Sequence, residues 1–222
     1  MPHLGHDVDL LASLSLTHVQ FNTQDPISYV FAYITLIPLA IIIFYASVVL
    51  SRREIAIILM GIGQLANEIV NAILKEYFQI ARPNFHLGLG TGYGMPSSHA
   101  QFVWYFTAFG AIYLLRHIQL SSSIWKGFYI FAMILMSLIV CQSRVYLGYH
   151  SSGQVFVGSI VGIIFGCIWY QLVELIRSYG YIDRLIGTSL AKWVYLKDMR
   201  QIDNVIEWEY QNWVKEISKK KK

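Results

Sequence analysis

The sequence predicts an all-α, polytopic membrane protein: a helical bundle of about five transmembrane helices, followed by an amphipathic cytosolic helix. Three observations predict it. Of the 222 residues, 55% are hydrophobic and only 14% charged, whereas a soluble domain carries about 25% charged residues. Mean hydropathy is +0.48. The apolar residues fall in long runs that are apolar all round rather than striped, the pattern of spans and not of surface helices. The same composition excludes a disordered chain, a collagen-like repeat and a disulfide-stapled secreted scaffold, since Cys141 and Cys167 are the only cysteines.

Residues 1–26 read as a lumenal N-terminal segment. They hold no Lys or Arg and carry Asp7, Asp9 and Asp25, so the apolar run that follows lacks the basic leader of a signal peptide. Crossing a hydrocarbon core takes about 20 mostly apolar residues. Residues 27–50 give the first span and 55–74 the second, which Glu68 and several amides interrupt. Residues 100–115 give a short third span, 124–142 the fourth and 155–173 the fifth, so that the transmembrane unit covers 27–176. In the fifth, Gly158, Gly162 and Gly166 form a stripe suited to close packing on a neighbour. Residues 177–222 form a basic tail. There Leu190, Trp193, Val194, Ile202, Ile206, Tyr210, Trp213 and Ile217 recur at helical spacing between charges, as in a helix lying on the membrane surface or one that binds a partner.

Five spans place the chain ends on opposite sides. Arg52, Arg53, Arg116, Lys126 and the tail then share one side, which the positive-inside rule makes cytoplasmic. The terminal lysines 219–222 suit an endoplasmic reticulum retrieval signal or an anionic-lipid contact. Three cations lie on the other side against the rule: Lys75, Arg82 and Arg144.

Those three cations belong to a constellation. Gln64, Glu68, Asn71 and Lys75 share one helical face, bordered by Asn67. That face reads either as an inter-helix hydrogen-bond seam or as a polar wall leading to Lys75. Lys75, six residues and Arg82-Pro83 end the second span, and Pro96-Ser97-Ser98-His99 opens the third. Ser143-Arg144, five residues and His150 link the fourth and fifth. Topology brings all three clusters to one membrane face. Phosphoryl chemistry needs charge neutralised and a nucleophile held in line. Each charged hydrogen bond is worth about 1.5–3 kcal/mol, and the amides of Ser98 and His99 at a helix start add an anion seat.

The order and spacing resemble the signature motifs of the type-2 phosphatidic acid phosphatase superfamily: lysine, six residues, Arg-Pro; Pro-Ser-Gly-His; and Ser-Arg, five residues, His, three residues, Asp. Ser98 stands at the glycine position and Gln154 at that of the Asp. The glutamine, the short chain, the lysine-ended tail and the Tyr149-His150 context look most like the endoplasmic reticulum dolichyl-diphosphate phosphatases.

The resemblance implies His150 as nucleophile forming a phosphohistidine, with His99 as general acid and base. Gln154 would orient His150 in place of the Asp, without its negative charge, so that Gln154→Asp is expected to retain activity. Lys75, Arg82, Ser97, Ser98 and Arg144 would bind phosphate. It implies no cofactor and no metal. The partner would be dolichyl or another polyprenyl diphosphate, hydrolysed to the monophosphate on the lumenal face to recycle the carrier used in protein N-glycosylation. Alternatives are a phosphatase for a sphingoid or diacylglycerol phosphate or diphosphate, a non-catalytic lipid-phosphate scaffold, and vanadate-dependent oxidation. Nothing in the charge pattern points to nucleic acid. His3, His6, His18, His86 and His117 lack the company of the cations and read as surface or packing residues. Gly88, Gly90, Gly92 and Gly94 read as a mobile connection or a lid.

Overall fold

The computed structural model describes residues 11–14, 19–83, 92–119, 123–200, 202 and 204–220. A short antiparallel hairpin, β1 (Leu11–Leu14) and β2 (Val19–Asn22), precedes the first helix. No strand signal stands out in this stretch of sequence. Here β2 has a surface to cover, with Val19 packing on Ala32, Leu147 and Tyr149.

The run expected as one span over 27–50 is two helices, α1 (Pro26–Ile34) and α2 (Ile37–Arg52). Pro38 explains the break, because it offers no N–H to the carbonyl of Ile34 and its ring crowds that oxygen. Asp25 caps α1 by accepting from the Ile27 amide, and Tyr146 donates to its other oxygen at 2.7 Å.

Next come α3 (Ile55–Phe78), α4 (Ser98–His117), α5 (Ser123–Tyr146) and α6 (Ser152–Ser178). They match the expected spans in order and outrun them by several residues at one or both ends. Among the described residues, four helical stretches are long and apolar enough to cross a membrane: Pro26–Arg52, Ile55–Phe78, Ser123–Tyr146 and Ser152–Ser178. The fifth, α4, is the hub, with α6, α5, α3 and α2 all packed on it. Its surroundings are protein, so it tolerates polar groups: Gln101, Val103, Tyr105 and Phe109 are all buried. The outer faces of the other helices expose Ile42, Ile43, Leu65, Ile69, Phe131 and Ile168, as a lipid-facing surface does.

Two seams hold α4. On one side lies the glycine stripe of α6. A Cβ at Gly158 would stand 2.6 Å from the Ser97 carbonyl oxygen, and one at Gly162 would stand 2.4 Å from that of Gln101. On the other side lies the polar face of α3. Asn71 donates to Gln101 Oε1 at 2.8 Å, and Gln101 Nε2 donates to the Asn67 carbonyl and side chain at 2.9 Å each. Gln64 reaches the Phe102 carbonyl at 3.5 Å. Gln64, Asn67 and Asn71 therefore form the inter-helix seam. Glu68 stands outside it, with a buried Oε1 that has no hydrogen-bond partner.

The tail is three helices rather than one: α7 (Tyr181–Gly187), α8 (Ser189–Trp193) and α9 (Val205–Lys220). The amphipathic element is α9, which buries no residue. Between α8 and α9 the chain returns to the bundle. The Lys197 amide donates to the Arg53 carbonyl and the Lys197 carbonyl accepts from the Ile55 amide, each at 3.0 Å. Arg177 pairs with Asp198, and Arg200 holds Glu174 at 2.7 Å and His117 at 3.1 Å. Arg52 pairs with Glu209 at 2.8 Å. His117 is thus a packing residue. The lysines at 221 and 222 lie outside the described residues, as do Gly88 and Gly90 of the segment read as a mobile connection or a lid.

Candidate active site

Six segments converge where α3 ends: its last turns with Lys75, residues 79–83, residues 92–97, the first turn of α4, the last turn of α5, and the loop 147–151 leading into α6. The loop is a tight reversal, in which the amides of Tyr149 and His150 both donate to the Arg144 carbonyl at 3.1 Å. That fold-back sets His150 beside the arginine six positions earlier.

His150 is 2% exposed. Its Nδ1 lies 2.9 Å from the Gly94 carbonyl and 3.2 Å from Gln154 Oε1. Both partners only accept, so Nδ1 carries the proton and Nε2 carries the lone pair. Arg82 Nη1 donates to that Nε2 at 3.2 Å and to the Tyr149 carbonyl at 3.3 Å. Burial, with the charges of Arg144 and Arg82, pushes the His150 pKa down to about 3, so the ring is neutral.

Gln154 does more than orient a histidine. Its Oε1 also accepts from the Ser151 amide, whose hydroxyl accepts from the Gln154 amide in return, a capping box that opens α6. Its Nε2 donates to the Ala81 carbonyl at 2.8 Å, and its own carbonyl accepts from the Ser97 amide at 3.1 Å. It thereby ties the segment of Arg82 to the start of α4. A Cβ at Gly94 would stand 2.7 Å from Gln154 Nε2, so a side chain there would have to displace the Gln154 amide.

Ser97 is the N-cap of α4, yet its hydroxyl makes no capping bond. The first turn of α4 presents amides that the helix does not itself use. Arg144 is 4% exposed and has no ion pair among the described residues. Its guanidinium carbon lies 4.2 Å from the centroid of the Tyr149 ring. Among the described residues, the buried side-chain atoms without a hydrogen-bond partner include Arg82 Nε, Arg144 Nε and Nη1, and Ser97 Oγ. Leaving such groups unsatisfied costs about 1–3 kcal/mol each, more for charged ones. Donors of this kind suit the oxygens of an oxyanion.

His99 sits in the first turn of α4, half-buried, with its ring against the backbone of Thr35. Thr35 is the residue at the α1–α2 break. The charges of Arg144, His150 and Lys75 all act on His99, and those of Arg82 and Arg144 act on Lys75. The eight residues singled out from the sequence are therefore at one end of the bundle. Sequence reasoning missed the Gly94 and Ala81 carbonyls, the Thr35 backbone and the Tyr149 ring. Only Tyr149, adjacent to His150, carried any signal, and its ring direction is a property of the loop fold.

The family profile described as the PAP2 superfamily matches residues 56–178. "Dolichyldiphosphatase 1" of Dictyostelium discoideum is 36% identical, covering 95% of this chain and 94% of its own. "Dolichyldiphosphatase 1" of Homo sapiens is 30% identical over 89% of this chain and 86% of its own. "Dolichyldiphosphatase" of Saccharomyces cerevisiae is 31% identical over 82% and 79%. A solved structure, that of a transmembrane PAP2-type phosphatidylglycerolphosphate phosphatase from Bacillus subtilis, superposes with a TM-score of 0.58 at 24% identity, covering 68% of this chain and 79% of that one. The last likeness concerns the fold. With the profile spanning more than half the chain and relatives aligned over nearly all of it, the chain belongs to the PAP2 superfamily.

Proposed function

We propose that the chain hydrolyses dolichyl diphosphate to dolichyl monophosphate and inorganic phosphate, in the endoplasmic reticulum membrane with its site facing the lumen. Residues 27–176 carry the chemistry and 177–222 lie in the cytosol. The observation that carries the reading is the set of buried, unpartnered donors on Arg82, Arg144 and Ser97, beside a histidine whose Nε2 bears a lone pair. The relatives named dolichyldiphosphatase favour the polyprenyl substrate. The orientation rests on Arg52, Arg53, Arg116 and Lys126 at the opposite end.

The terminal phosphoryl group enters among Lys75, Arg82, Arg144, Ser97 and the first amides of α4. Arg82 exchanges the His150 nitrogen for phosphoryl oxygens and so releases the lone pair. Nε2 forms a bond to the terminal phosphorus as the bond to the bridging oxygen breaks, and His99 gives its proton to the departing lipid monophosphate. His99 then takes a proton from water, which attacks the phosphohistidine. The N–P bond breaks, returning neutral His150 and inorganic phosphate. Gln154 and Gly94 hold the imidazole through both steps, stabilising the positive charge on the ring through dipoles rather than a carboxylate.

The test is phosphate release from dolichyl diphosphate by the purified full chain with a chelator present. Wild type is expected to release phosphate and His150→Ala to lose about a thousandfold or more. Rapid quenching of wild type with substrate labelled at its terminal phosphate should trap label on histidine. Unchanged release by His150→Ala, or better turnover of a sphingoid phosphate or diacylglycerol diphosphate, overturns the assignment.

A further inference from the structure

Tyr149 makes more of the site than its place next to His150 suggests. Its ring is buried, packed with Val19, Ala32 and Leu147, and its hydroxyl accepts from the Gln20 amide of β2 at 2.8 Å. Its carbonyl accepts from Arg82 at 3.3 Å. The face of the ring lies 4.2 Å from the guanidinium carbon of Arg144. One residue thus touches both arginines and fixes the hairpin over them.

The chemistry of that contact matters. A buried arginine needs support, and a carboxylate is the usual supplier. A carboxylate would engage the edge donors of the guanidinium bidentately and cancel its charge, leaving neither for substrate. An aromatic face attracts the cation electrostatically through its quadrupole, at the flat side of the guanidinium. The edge donors are then spared, and Arg144 Nε and Nη1 are buried without a hydrogen-bond partner among the described residues. We infer that Tyr149 is a positioning residue for the oxyanion seat: its ring holds Arg144 by the face so that the edge stays open to phosphoryl oxygens. The inference rests on the phosphatase reading of this site and adds to it a residue outside its motifs.

The experiment measures orthovanadate binding by calorimetry and phosphate release by the full chain. The variants are Tyr149→Phe and Tyr149→Leu, each also made with Arg144→Gln. Phenylalanine keeps the aromatic face and leucine keeps only apolar bulk. Tyr149→Phe is expected to bind vanadate about tenfold more tightly than Tyr149→Leu, with the difference lost in the Arg144→Gln background. In turnover the gap is expected in KM with kcat little changed, because Arg144 contacts phosphoryl oxygens alike in the ground and transition states. Tyr149→Met replaces the leucine variant if the latter is not recovered folded. Equal vanadate affinities for the phenylalanine and leucine variants overturn the proposal, as does a gap that persists without Arg144. Vanadate binding requires no lipid, so the role of Tyr149 is decided even if the enzyme acts on a different phospholipid. A wild type that binds no vanadate and releases no phosphate sinks both readings.

Discussion

Protonating His150 would place an imidazolium in a buried site beside Arg82 and Arg144, and its pKa falls to about 3 from an ordinary value of 6.5. As pH drops through 6.5 the unfolded chain takes up the proton and the folded one does not. The stability linked to this ring is therefore complete above that value and is lost progressively towards pH 3. In nitrogen NMR of the labelled ligand-free protein, the His150 ring should show no titration between about pH 5 and 8; a midpoint near the free value would mean that water and counterions reach it. Gln154 gives a second prediction. Because its amide accepts from His150 and donates to Ala81, Gln154→Asp keeps only the accepting half. It should largely retain kcat, while KM rises roughly fivefold through a loosened Arg82, about 1 kcal/mol for one lost hydrogen bond. Gln154→Ala should lower kcat as well. The motif residues were legible because each is a charge or imidazole at a fixed distance from a span. The carbonyls of Gly94, Ala81 and Thr35 were not, since every residue has one and only folding selects among them.

At the scale of elements, the spacing between α4 and α6 sets the active-site distances, because Ser97 and His99 ride on one helix start and Gln154 on the other. Gly162→Ala would force a Cβ to within 2.4 Å of the Gln101 carbonyl oxygen. It should cost about 1–3 kcal/mol of stability and reduce kcat although it lies more than two turns from Gln154. Gly61→Ala, with open space around it, should instead raise the melting temperature slightly, the helix gaining up to about 1 kcal/mol. Parallel melts and turnover assays of the two variants check this. The spans themselves were readable from uninterrupted apolar runs. The break at Thr35 follows from Pro38, which the apolar run disguised, and the role of Gln101 depends on the register of α3, which no single segment encodes.

Across the whole molecule, the candidate site and the tail occupy opposite ends. The 24 residues of α3 rise about 36 Å between them. The tail contacts, centred on Arg200 with Glu174 and His117, are structural ties remote from phosphate. Arg200→Ala should lower stability by about 1–2 kcal/mol, less than for a fully buried pair because the side chains keep 19% and 25% of their exposure. It should speed proteolytic release of the tail while leaving kcat unchanged; a loss of turnover at full folding would show that the two ends communicate. Charge and hydropathy made this polarity visible in the sequence. The docking of residues 197–200 was not visible, because it depends on where the helix ends meet.

The central position of α4 also bears on how the chain is made. With 20 residues it is long enough to cross. Yet among the described long helices of the bundle it falls short of the apolarity expected of a free span, because its polar side chains are addressed to α3 and α5 and its close seam is built by α6. During synthesis it emerges before α6, so its hold in the bilayer is expected to be completed only when the last span packs along its glycine seam.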